Sequence, residues 1–308
     1  MNPLYSFYSR SLANGSLFAV LAAAGFSLKA IFVKLSYAAG SVDALGLLAM
    51  RMGLSLPLFL LLGWLSRREG RSALTVQDTL RVLWLGLVGY YLSSLFDFYG
   101  LEYISAGLER LILFTYPTLV LLFQMIALRE RPTRRTLLAS AICYAGLGVA
   151  FIHDIGTVGF SVEVIKGVAW VFASAVTYAL YYLGAGLMVG RLGSMRLAAL
   201  AGSTSAVMVL VHFSISSDAA ALAELPVAIW GYAALMALLS TVLPIYWMAL
   251  AIQRLGATQT AAIGNLGPLL TVLVSWAVLS EAISLYQLAG LALVLFGVSQ
   301  LKSSQAAR

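Results

Sequence analysis

YPTLVLLFQMIALRERPTRRTLLASAICYAG (residues 116–146) and GPLLTVLVSWAVLSEAISLYQLAGLALVLFG (residues 267–297) lie over one another without gaps at a shift of 151 positions. Pro117 then meets Pro268, Glu130 meets Glu281, and Gly146 meets Gly297. Leucine and alanine matches between them carry little weight in so apolar a chain. The Pro, Glu and Gly matches carry more, because helices use those residues sparingly. The first apolar run pairs with the sixth at a shift of 152, with Gly15 over Gly167 and Phe26 over Tyr178. The chain therefore reads as two copies of one unit, residues 1–153 and 154–308.

Each unit consists of apolar runs. They fall at 15–39, 43–66, 78–101, 103–128, 133–153, 163–190, 194–214, 225–252, 256–280 and 283–301, with short connectors between them. A spanning helix needs about 20 apolar residues, so the reading is an all-α integral membrane protein with ten transmembrane helices. Composition agrees. Of 308 residues 61% are hydrophobic and 10% charged, against roughly 25% charged in soluble domains. The run from Ser16 to Ala39 is too long for a signal-peptide core and reads as a retained first helix. Helix start signals stand at Asp43, at Thr75 with Asp78, and at Pro226. Residues 100–107 are read as a tight turn or a kink.

The net charge of +7 is a matter of orientation and not of nucleic-acid binding. With the N-terminus inside, Arg67, Arg68, Arg71, Arg129, Arg131, Arg134 and Arg135 all fall in inner loops, and the outer loops hold Lys166 alone. That asymmetry places both termini in the cytoplasm of a bacterial-type inner membrane. The loop after the fourth run carries four arginines, and its partner after the ninth carries no lysine or arginine. A repeat of five helices whose copies face opposite ways, each obeying the same charge rule, gives this result. A 5+5 inverted repeat is a transporter signature, because two similar halves can exchange conformations.

These features resemble the drug/metabolite transporter superfamily, in particular its EamA-type ten-helix members. The resemblance is carried by LILFTYPTLV (111–120), the R-E-R-P turn at 129–132, NLGPLLTVL (265–273) and L-S-E-A (279–282). It implies a central cavity lined mainly by helices 1, 3, 4, 6, 8 and 9, with helices 5 and 10 peripheral. It also implies movement of small metabolites, often outward, with amino acids among them. The small multidrug branch keeps an acidic residue in its first helix. Here that helix carries Lys29 and Lys34 instead, a departure from simple proton-coupled cation export.

Ionisable residues inside apolar helices are the first functional candidates, since each costs roughly 2.5–3.5 kcal/mol at a helix centre. Lys29 is expected to pair with Asp97 or to hold a substrate carboxylate. Glu109 and Arg110 are read as a gate, Arg51 as structural, and Glu102 as solvated. Glu130 and Glu281 are read as structural groups bonding backbone at their turns. Cavity candidates are Phe26, Lys29, Tyr90, Ser94, Asp97, Tyr99, Tyr116, Tyr178, Tyr182, Trp247 and Asn265. Paired backbone interruptions at Pro117 and at Gly264, Gly267 and Pro268 are hinge candidates. The bland alternatives are ion pairing, interfacial aromatic belts and ordinary packing.

No catalytic or metal motif accompanies these residues, so no cofactor and no metal are expected and the chain is read as a non-enzyme. Cys143, the sole cysteine, is read as a packing residue. The expected partners are a small-molecule substrate and the lipid bilayer, with the chain as a monomer. A membrane-embedded lipid-handling enzyme would need an acid–base or metal cluster that the sequence lacks. A non-transporting sensor would need a sealed interior.

Overall fold

The computed structural model describes residues 3–66, 73–128, 134–158, 161–217, 220–255, 263–264 and 266–305. All regular structure among them is helical. Helix α1 is Pro3–Ala39 and α2 is Ala44–Ser66. Helix α3 runs as Val76–Leu85, a π-helical stretch Gly86–Leu92, and Ser93–Leu101. Helix α4 is broken into Ala106–Leu113 and Tyr116–Leu128. Then come α5 (Arg134–Val158), α6 (Val162–Leu192) and α7 (Ser194–Ser216). Helix α8 runs as Val227–Ala237, a π-helical stretch Leu238–Val242, and Leu243–Leu255. Helices α9 (Leu266–Leu279) and α10 (Leu285–Gln305) complete the chain.

Seven of these helices are long and apolar enough to cross a membrane, and Leu137–Ala150, Leu266–Leu279 and Leu285–Gln300 are shorter apolar helices. The expectation of ten spans thus meets seven by length and composition. The three shorter stretches lie in α5, α9 and α10. Large apolar side chains cover the outside: Leu187, Ile215, Val227 and Leu285 are each at least 80% exposed. Lipid accepts such a surface, whereas water opposes it.

Local chemistry sets the helix ends. The Asp43 carboxylate accepts from Gly46 N–H at 3.1 Å. Thr75 and Asp78 form a reciprocal capping box at the start of α3, and Pro226 precedes α8 as its cap. The α3–α4 connection is a tight turn in which Ser105 caps the new helix by accepting from Leu108 N–H. Glu281 also reaches this helix, accepting from Ala106 N–H at 3.0 Å and Gly107 N–H at 3.4 Å. The repeated glutamate therefore caps a distant helix and not its own turn, and its negative charge suits the positive end of the helix dipole. Glu281→Ala should lower the melting temperature of the detergent-solubilised protein, by about 1–2 kcal/mol of stability. Glu281→Gln, which keeps one acceptor, should lose less. Glu130 lies outside the described residues.

Two geometric relations connect the halves. The π-helical stretches fall at corresponding places: shifted by 151, Gly86–Leu92 lands on residues 237–243, which span Leu238–Val242. The second is the crossing of α5 and α10. Cys143 Sγ lies 3.6 Å from the carbonyl of Val294, 151 residues away. A Cβ built on Gly146 would stand 2.7 Å from the carbonyl oxygen of Gly290, and one built on Gly297 would stand 2.7 Å from that of Ala139. At a shift of 151, Gly146 corresponds to Gly297 and Ala139 to Gly290. The two contacts are thus exchanged copies of one another, the pattern a two-fold interface produces. Small residues let the backbones approach this closely in lipid.

Helix α1 runs through the middle of the packing. It lies against α8 and α9, while α2 packs on α7 and α3 on α6. The largest buried cluster joins Ile31 and Val33 of α1, Leu47, Leu48 and Met52 of α2, Phe98 and Leu101 of α3, and Met236 of α8.

Candidate functional site

The polar residues of the apolar helices converge at one end of the bundle, beside the α3–α4 turn. Lys29 of α1 reaches between two helices. Its ammonium is 2.7 Å from Asp97 Oδ2 on α3 and 3.8 Å from Glu109 Oε1 on α4. Asp97 and Glu109 are fully buried, and 16% of the Lys29 side chain is exposed. The one ammonium therefore faces both carboxyl groups. Neither oxygen of Glu109 has a hydrogen-bond donor among the described residues.

Arg110 points elsewhere. Its Nε donates to Thr271 Oγ1 on α9 at 3.0 Å, and its Nη2 donates to the backbone carbonyl of Phe26 on α1. Ser27 Oγ donates to the carbonyl of Gly267 at 2.9 Å, and Thr271 Oγ1 to the same carbonyl at 3.1 Å. One polar network therefore ties together α1, α3, α4 and α9. It uses both signs of charge, as ionisable groups must where lipid surrounds the helices.

Beside it stands a cluster of phenols on α3, α4 and α6. Tyr116 stacks on Tyr182 at 5.0 Å and meets Tyr178 edge-on at 5.1 Å. Tyr178 meets Tyr182 edge-on at 5.0 Å. Tyr90 and Tyr181 share a hydroxyl–hydroxyl hydrogen bond of 3.1 Å, and Tyr181 stacks with Tyr178. Tyr116 and Tyr178 both lie within the electrostatic reach of Arg110. Two of the five tyrosines thus lie near a cation.

The break in α4 places Tyr116. The first segment ends at Leu113, and Phe114 leaves helical geometry with ψ near 2°. Thr115 and Thr118 turn their hydroxyls back onto the carbonyls of Ile112 and Thr115, which satisfies groups the break would orphan. Pro117 has no N–H to lose and sits in the first turn of the new segment. In α9, Gly267 and Pro268 are buried against α1.

Of the residues expected from sequence, Phe26, Lys29, Asp97, Glu109 and Arg110 come together in the charged network. Tyr90, Tyr116, Tyr178 and Tyr182 meet in the phenol cluster. Tyr99 does not join them. Its ring lies 5.4 Å from Trp170, which also packs on Phe96. Ser94 is buried on α3, and Trp247 is half-buried on α8. Asn265 lies outside the described residues. Arg51 has the structural setting expected of it: Nε donates to Thr241 Oγ1 at 3.0 Å and the guanidinium lies over the Phe98 ring. Glu102 is exposed. Thr271 and Tyr181 were missing from the expected set. Thr271 lies one turn after Gly267, and Tyr181 lies three residues after Tyr178, so helical spacing could have signalled both. A cavity of about 240 Å³ lies elsewhere, between α2 and α7, lined by Phe59, Gly63, Trp64, Arg196 and Ser203 among others.

The family model for the EamA-like transporter family matches residues 13–152 and again residues 165–301. The chain belongs to the EamA-like transporter family. This EamA-like protein is similar to "Uncharacterized transporter YcbK" of Bacillus subtilis (strain 168), 29% identical over 299 residues, covering 94% of this chain and 93% of the relative. It is also similar to "Uncharacterized transporter YyaM" of the same organism, 28% identical over 282 residues, covering 89% and 90%. A solved crystal structure superposes with a TM-score of 0.65 at 18% identity, covering 96% of this chain and 98% of the other. That likeness speaks for the fold alone. Transport across a membrane is the activity this family carries.

Proposed function

We propose that this EamA-like protein is a secondary transporter that exports amino acids or similar small metabolites across a bacterial-type inner membrane. The working unit is a 5+5 inverted repeat of ten transmembrane helices, residues 1–153 and 154–308, with both termini in the cytoplasm. The paired π-helical stretches and the exchanged α5–α10 contacts support the repeat. Arginines in the proposed inner loops support the orientation. Alternating access follows as a rocking of one half against the other around a path bordered by α1, α3, α4, α6 and α9.

The observation that carries the substrate class is the five-tyrosine cluster, two of whose members lie near Arg110. Ring faces and hydroxyls suit the apolar and polar parts of an amphipathic solute. A substrate carboxylate would draw on the charge of Arg110, whose partners in this form are a hydroxyl and a backbone carbonyl, both neutral.

Counterflow in proteoliposomes with a panel of labelled amino acids and other small metabolites tests this. Accelerated exchange of at least one amino acid is expected. Failure of folded, inserted protein to exchange any member of the panel would sink the proposal. Tyr116→Ala should raise the KM of the exchanged solute about three- to tenfold, the equivalent of one aromatic contact of about 0.5–1.5 kcal/mol. Tyr99→Ala should leave it near wild type, because Tyr99 packs on Trp170.

A further inference from the structure

The buried network contains two carboxyl groups whose oxygens find no hydrogen-bond donor among the described residues, and Glu109 is the one farther from the Lys29 ammonium. Glu109 is fully buried, and its two oxygens lack a hydrogen-bond donor among the described residues. Its neighbour Asp97 takes the closer approach of the Lys29 ammonium, 2.7 Å against 3.8 Å. Arg110, next to it on α4, is committed to Thr271 and to the carbonyl of Phe26. Two carboxyl groups therefore share one ammonium unequally.

An unshared negative charge in such a place is costly. A single proton on Glu109 resolves the conflict. It removes that charge and leaves Asp97 and Lys29 as a neutral pair. We propose that Glu109 is a proton-binding site, loaded when α1, α3, α4 and α9 are in contact at this end and emptied when they separate. On closing, an O–H bond forms on the Glu109 carboxylate with a proton taken from water. On opening, the carboxyl group is hydrated and returns that proton to water. No electrons are transferred.

The surrounding groups are consistent with this assignment. Helix α1 presents Lys29, α2 presents Arg51 toward Asp97, and α3 presents Asp97 itself. On α6 the phenol rings of Tyr178 and Tyr182 meet each other, and on α9 the hydroxyls of Thr271 and Ser275 donate to the carbonyls of Gly267 and Val272. The Glu281 carboxylate, before α10, is engaged by the N–H groups of Ala106 and Gly107. Gln287 of α10 is neutral and buried. The arrangement also belongs to one half only. Shifted by 151, Asp97, Glu109 and Arg110 fall on Met248, Thr260 and Ala261, and at the shift of 152 Lys29 falls on Tyr181. The repeat does not need this cluster for its fold, since its second copy does without it.

A closed form that holds one more proton than the open form loses population as pH rises. Between the titration of Glu109 in the open form and its higher titration in the closed form, the closed-to-open ratio falls about tenfold per pH unit, and above both it is flat. The movement rests on the alternating-access reading, whereas the protonation does not, so two measurements separate them. The first is infrared spectroscopy of wild-type protein in lipid. A protonated-carboxyl band is expected at neutral pH, lost on alkalinisation and absent from Glu109→Gln. No such band at any pH, or a band unchanged in the variant, overturns the proton site.

The second measurement uses a Ser27→Cys reporter at the α1–α9 contact, in a Cys143→Ala background, with a maleimide rate normalised to the unfolded protein at each pH. A rise of about tenfold per pH unit is expected between those two titrations, lost in Glu109→Gln and kept in Glu109→Asp. A flat profile with the infrared band intact removes the movement and leaves the proton site. A profile that follows sodium at constant pH overturns the proton in favour of a metal cation.

Discussion

Gly146→Leu is expected to leave little folded protein. A Cβ at this position would stand 2.7 Å from both the carbonyl oxygen of Gly290 and the Cβ of Leu293, and 3.0 Å from the Val294 nitrogen. Two of those atoms are backbone, so no side-chain rotation relieves the clash, and the whole α5–α10 pair must separate. Overpacking a tight site costs about 1–3 kcal/mol even where side chains can yield. Here the loss should exceed about 3 kcal/mol. Gly297→Leu should lose a comparable amount, because its Cβ would meet Cys143 Sγ at 2.5 Å and the Ala139 carbonyl at 2.7 Å. Gly148→Leu supplies the contrast on the same helix, since nothing lies within 4 Å of its Cβ position. Size-exclusion chromatography and thermal melts in detergent should show monodisperse protein for Gly148→Leu and aggregate for the other two. Equal tolerance of all three would mean that α5 and α10 do not cross as described.

Lys29→Met should be the most damaging substitution among the charged residues. It removes the ammonium that faces Asp97 and Glu109 and leaves both carboxyl groups buried without it. Breaking a buried ion pair from one side costs about 3–5 kcal/mol. The added variant Lys29→Met/Asp97→Asn should recover most of that loss, because the charge that lacked a partner is gone. Its coupling is read from a double-mutant cycle of melting curves. Lys29→Arg should fall between, since a planar guanidinium does not replace a compact ammonium at 2.7 Å. If Lys29→Met melts like wild type, the contact is incidental and the network has no energetic centre.

Both substitutions act where helices meet, and there the sequence was only partly informative. The pairing of Lys29 with Asp97 could be anticipated because buried charges seek opposite charges, and few partners were at hand. The cluster of Tyr116, Tyr178 and Tyr182 could be anticipated because phenols deep in apolar runs are uncommon. Tyr99 went to Trp170, a contact that depends on how far α3 is rotated against α6. Glu281 went to the start of α4, although its place in the repeat suggested its own turn. Thr271 was overlooked because a single threonine in an apolar helix has no pattern of its own.

What the sequence determined by itself is the helical content, the helix ends and the shift of 151. Each depends on local rules: apolar length, backbone satisfaction within a helix, capping groups and proline. What only the tertiary structure decided is the rotation of each helix and therefore every contact between them. In a soluble helix the polar face tells the core which way to turn. In lipid, helices are apolar all round, and the surroundings are as apolar as the partners. Rotation is then set by where small residues permit backbones to touch and by where the few charges find each other. Those choices are made between residues up to 244 positions apart, as Ser27 and Thr271 are, and no window along the chain contains both.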